Sequence, residues 1–146
     1  MDLNKLTYNY FLILFSLIPI SILVGSAVSL INILLIDLSF IILMIYKKDY
    51  YFLKNKTLIF LLILYIYLIF NSYISIDYSE GIIRNIGFIR IIIFFVAINY
   101  FFQNETFSKK IFKFWSIIIL TVLIDVFIER FSGKNILGFS DPTNMD

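Results

Sequence analysis

From Leu6 to Tyr46 the chain runs for 41 residues with one formal charge, Asp37. A single helix rises about 1.5 Å per residue, and a bilayer core is about 30 Å thick, so the run is too long for one crossing. Its only glycine is Gly25, followed by Ser26. That pair predicts a very short turn between a first span near 8–24 and a second near 27–46. Pro19 falls inside the first span and predicts a kink about four residues upstream.

The same pattern continues. Lys47, Lys48 and Asp49 end the second run, and Lys47–Lys56 sets four lysines around Tyr50, Tyr51 and Phe52. Aromatic rings and snorkelling lysines at one level mark a membrane interface. Further apolar runs predict spans near 57–75, 86–102 and 111–128, separated by the polar stretches 76–81 and 103–110. The tail 129–146 holds two Gly, one Pro and polar punctuation, and reads as the start of an extracytoplasmic loop. The expected fold is all-α, a polytopic bundle of about five transmembrane helices. Cleavage of the first span as a signal peptide at Gly25-Ser26-Ala27 is disfavoured, because a second apolar run follows at once.

Composition narrows the function. Apolar residues make up 61% of the 146, charged residues 15%, and mean hydropathy is +0.95. Soluble domains are about 45–50% apolar and about 25% charged, so a soluble domain and a nucleic-acid-binding module are excluded. There is no Cys and no His. Disulfides, thiolate chemistry, imidazole zinc sites and His-activated nucleophiles are therefore excluded, and no metal site or cofactor is expected. The richness in Tyr and Asn fits an AT-rich genome and needs no functional reading.

Charge placement sets an orientation. With the N-terminus inside, the inner segments carry eight of the 12 basic residues, and all eight are Lys. The outer segments carry four: Arg84, Arg90, Arg130 and Lys134. The excess of inner cations predicts N-inside and C-outside. The outer preference for Arg is chemically pointed, because its planar fork grips phosphate or carboxylate through two bonds.

Four sets of polar residues are candidates. A span beginning near Ile86 puts Arg90 at or below the outer headgroup level, with Arg84 nearer the water and one turn from Glu80. Each arginine reads either as a clamp for an anionic headgroup or as an interfacial residue bonded to ordinary phospholipid. Asp37 lies mid-span, where a lone carboxylate costs a few kcal/mol, so it should pair with a basic residue of another span or relay protons. Asp125, Glu129 and Arg130 read as an interfacial cap or as paired carboxylates for acid/base work. Asp77 and Glu80 read as turn residues. Phosphate loops and nucleophile elbows are absent.

The order of these segments resembles the N-terminal part of the bacterial O-antigen ligase and O-antigen polymerase-like membrane proteins. The resemblance lies in Ile18-Pro19-Ile20-Ser21 leading to Gly25-Ser26-Ala27 and Asn32, in Asn71–Asp77 followed by Glu80 through Arg84 to Arg90, and in Phe131–Phe139. It implies a multi-pass protein of the bacterial inner membrane in lipopolysaccharide or other surface polysaccharide biosynthesis. Glycan would pass from an undecaprenyl-diphosphate carrier without a metal or nucleotide. The family has more spans and an Arg- and His-bearing outer loop in its later half. The resemblance therefore implies an N-terminal fragment, inactive alone, with Arg90 and Arg84 its only candidate diphosphate ligands and no catalytic residue matched. Two other functions are open: a small transporter or flippase subunit, or a non-catalytic scaffold for other membrane enzymes.

Overall fold

The computed structural model describes residues 5–48, 55–75 and 78–132. All secondary structure in these residues is helical, in seven segments: α1 (Lys5–Ser16), α2 (Ile18–Val24), α3 (Ser26–Lys47), α4 (Lys56–Tyr73), α5 (Tyr78–Gly87), α6 (Ile89–Phe102) and α7 (Glu105–Ser132). They form five helical stretches long and apolar enough to cross a membrane: α1 with α2, α3, α4, Gly81–Phe102 within α5 and α6, and α7. The expected all-α polytopic architecture is the one present. The last span continues as helix through Ser132. The rest of the expected loop, 133–146, lies outside the described residues, as do Asp77 and the Glu80 side chain.

Local chemistry explains where the helices stop. Gly25 is the single residue between α2 and α3, at φ 144° and ψ 168°. Only glycine adopts that backbone readily. Asn55 precedes α4, and its Oδ1 accepts the Thr57 N–H at 2.9 Å. Asn104 does the same for α7, accepting from Thr106 and Phe107. Both are side-chain N-caps that satisfy donors the first helical turn leaves unpaired.

The helix of the first span is interrupted at Leu17, two residues before Pro19 rather than four. Proline is tolerated in the first turn of a helix, where a missing N–H breaks no bond. The chain therefore restarts as α2 with Pro19 in its first turn.

Cross-span contacts fix the topology. Tyr10 bonds Ser39 at 2.8 Å, and Asn32 Nδ2 donates to the Leu14 carbonyl at 3.3 Å. Residue numbers rise on one strand of this pair as they fall on the other, so spans one and two are an antiparallel hairpin. Asn85 donating to Leu68, with Leu58 and Leu62 lining one groove with Ile92 and Val96, gives the same relation for spans three and four. Span five runs alongside span one in the same direction, with the Tyr8 and Phe107 rings 5.4 Å apart. Lys5, Lys47, Lys56, Phe102 and Glu105 thus gather at one end of the bundle, and Gly25, Tyr73, Tyr78 and Ser132 at the other.

Lipid is as apolar as Leu, so packing rather than water exclusion must hold the spans together. Aromatic rings do much of it. Phe11, Phe15, Phe101 and Phe107 are fully buried. Phe101 lies 4.2 Å from Phe11 and 5.3 Å from Phe107, ring centre to ring centre. This cluster ties spans one, four and five at the lysine end.

Candidate functional site

At the other end of the bundle, spans three and four enclose a polar cleft of about 470 Å³. Its wall is Leu68, Asn71, Ser72 and Ser75 from span three, and Gly81, Arg84 and Asn85 from α5. In sequence these polar residues recur three or four apart: Ser72 with Ser75, and Gly81 with Arg84 and Asn85. That spacing places each group on one helical face.

Asn85 holds the two helices together. Its Nδ2 donates to the Leu68 carbonyl at 3.1 Å and to Ser72 Oγ. Ser72 Oγ donates its own hydrogen bond to the same Leu68 carbonyl at 3.0 Å. Ser75 Oγ donates to the Ser72 carbonyl at 3.1 Å. Gly81 faces the same serine: a Cβ there would sit in ordinary contact, 3.4 Å from Ser72 Oγ and 3.5 Å from its Cβ. Both Asn85 N–H groups are thereby committed to structure.

Among the described residues, Arg84 is the only charged one in the cleft wall. It and Asn71 are exposed, while Ser72 beneath them is buried. The cleft therefore offers a guanidinium fork and an amide on a hydrogen-bonded floor, and no carboxylate among the described residues lines it. Such a site suits phosphate or diphosphate.

Arg90 belongs elsewhere. A span starting near Ile86 would leave it near the membrane surface, but helix begins at Tyr78 and breaks only at Phe88. Arg90 therefore lies twelve residues from Phe102, roughly 18 Å along the axis. Asp37 lies ten residues from Lys47, roughly 15 Å from the same end. The two sit at similar depth on packed helices, and Arg90 is partly buried. Arg90 is the charge that acts on Asp37 electrostatically. Asp37 is 3% exposed, and neither of its carboxylate oxygens accepts a hydrogen bond. The interaction is thus long-range, across a gap with no direct bond.

The two arginines do not line one site: Arg84 is in the cleft wall and Arg90 is not. Asp125 and Glu129 are partly buried, one turn apart near the end of α7, with Arg130 exposed beside them. Among the described residues no three acidic side chains cluster as metal ligands. The contributions of Asn71, Ser72, Ser75 and Asn85 were not singled out from sequence as site residues. Their helical spacing at a span end, facing Gly81 and Arg84, is the signal that marks them.

No protein-family model, curated protein or solved structure matches this chain.

Proposed function

We propose that this chain is a membrane component of bacterial surface-polysaccharide assembly, of the O-antigen ligase or polymerase type. It receives the diphosphate of an undecaprenyl-linked glycan in the Arg84 cleft. The observation that carries the reading is Arg84 as the one charge among the described residues of a polar cleft at a span end. Lysines mark the opposite end, so under the positive-inside rule the cleft opens to the extracytoplasmic face of the inner membrane. There Arg84 donates to the diphosphate and stabilises charge as the leaving group departs, with no metal required. The acceptor hydroxyl needs a base, and none stands among the described residues of the cleft wall. Arg90 is the counter-charge of Asp37 and takes no part in holding the headgroup.

The test is binding of undecaprenyl diphosphate against undecaprenol by the chain in phosphatidylcholine nanodiscs. The diphosphate should bind at least about tenfold more tightly, and Arg84→Gln should remove that preference, since tenfold corresponds to about 1.4 kcal/mol. Equal binding of the two lipids by the wild-type chain overturns the reading.

A further inference from the structure

A second feature lies near the lysine end, distant from the Arg84 cleft and independent of the glycan reading. Spans two, three and four leave between them a groove of about 320 Å³ whose lining is entirely apolar. Its floor is buried: Phe40, Met44, Leu58, Ile92 and Val96. Its walls are not, since Ile41 is 38% exposed and Ile45 63% exposed. A groove with a packed floor and open walls, set in hydrocarbon, is shaped for a flexible apolar chain rather than for a ring or a headgroup.

The charge at its mouth selects the headgroup. Ile45 is two residues before Lys47, and Leu58 is two residues after Lys56. Lys48 follows at the left-handed C-cap of α3, at φ 53°. Lys48 and Lys56 are exposed. Two exposed cations, Lys48 and Lys56, therefore stand where the acyl groove meets the headgroup level, and among the described residues no carboxylate lines the groove. Basic pockets between transmembrane helices recruit anionic lipid heads by this arrangement. Lysine stems also extend along apolar surface while the ammonium reaches the phosphate layer.

We infer that the groove between spans two, three and four is a binding site for one anionic phospholipid. An acyl chain lies against Ile41, Met44, Leu58 and Ile92, and the headgroup phosphate is held by Lys48 and Lys56. A zwitterionic lipid fills the same groove with an acyl chain but carries an ammonium that the lysines repel.

The chain in phosphatidylcholine vesicles, with a trace of spin-labelled phosphatidylglycerol or spin-labelled phosphatidylcholine, tests this directly. The protein-immobilised fraction should favour phosphatidylglycerol by about threefold or more. Combined Lys48→Gln and Lys56→Gln should bring the two lipids to parity. Lys109→Gln with Lys110→Gln, at the same end of the bundle on span five, should leave the preference intact. Ile41→Trp keeps every charge but projects a ring into the groove, and should release the phosphatidylglycerol. Wild-type parity overturns the site. So does an equal loss in the Lys109/Lys110 variant, which would assign the preference to the general surface field. Full retention in Ile41→Trp would remove the groove from the account.

Discussion

Trp115 on span five donates its Nε1–H to the carbonyl oxygen of Phe15 on span one, at 2.9 Å and across 100 residues of sequence. In an unbroken helix that oxygen would accept from residue 19, but residue 19 is proline and has no N–H. Water is not at hand in the hydrocarbon core, so the orphan carbonyl must be satisfied by protein. The kink in span one and the docking of span five are thus one structural event. Trp115→Phe keeps the ring and deletes the donor. It should lower unfolding free energy by about 1 kcal/mol, the scale of hydrogen bonds between transmembrane helices. Unfolding in mixed micelles followed by tryptophan-independent far-ultraviolet ellipticity measures it. An unchanged midpoint would mean that the bond contributes nothing.

Asp37 and Arg90 make a second prediction. Removing one charge leaves the other unmatched within the bundle, so Arg90→Leu or Asp37→Leu should each destabilise by about 1–3 kcal/mol. The double Leu variant should recover most of that loss, because no unmatched charge remains. Arg90→Lys preserves the long-range attraction and should be mild. Additive losses in the double variant, measured as a thermodynamic cycle, would show that the two residues are energetically independent.

Much of this fold is legible because lipid imposes one simple rule: helical runs of apolar residues must match its thickness. The charge-poor run 6–46 and its lone Gly25 mark two spans and the turn between them. What composition hides is how the spans touch. The partner of Asp37 depends on helix rotation and depth, and a polar start to a helix obscures depth. Residues 78–85 contain Ser79, Glu80, Arg84 and Asn85, so hydropathy begins span four too late and leaves Arg90 near the surface. The cleft was half legible: Arg84 stands out by charge, while Ser72 and Asn85 acquire meaning only when two spans bring them together. Trp115 gives no sequence sign of its partner, because a proline on another span creates the acceptor.

Gly25 offers a prediction free of crowding. A Cβ there would meet no atom within 4 Å, so space does not demand glycine. The backbone does, at φ 144° and ψ 168°. Gly25→Ala should therefore cost about 1–3 kcal/mol through strain alone. Ser26→Ala beside it, in ordinary helix, should be close to neutral. Thermal denaturation of the pair in one detergent compares them, and equal midpoints would place the turn elsewhere.

Orientation yields a prediction from charge alone. Reporter fusions after Lys56 and after Asn104 should report the cytoplasm, and one after Asp141 the extracytoplasmic side. Moving the bias should move the topology, since loop lysines act before the spans pack. Replacing Lys47, Lys48, Lys54 and Lys56 with Gln should produce a mixed population at the Asn104 reporter. Uniformly reversed signals in the unmodified chain would invert the assignment and turn the Arg84 cleft toward the cytoplasm.

Gly81 separates the shape of the cleft from its charge. Its hypothetical Cβ sits at ordinary contact distance from Ser72, 3.4 Å from Oγ, so Gly81→Ala should fit with little disturbance. Gly81→Ile adds atoms beyond that contact, where they must either part α4 from α5 or fill the space before Arg84. Arg84 keeps its charge in both variants. If the cleft receives a diphosphate, Gly81→Ile should weaken undecaprenyl diphosphate binding by about tenfold, roughly 1.4 kcal/mol, while Gly81→Ala stays within about twofold of wild type. Binding of undecaprenol, which has no use for the cleft, should be unchanged in both. A Gly81→Ile chain that inserts normally and binds the diphosphate as tightly as wild type would show that the headgroup rests outside this cleft.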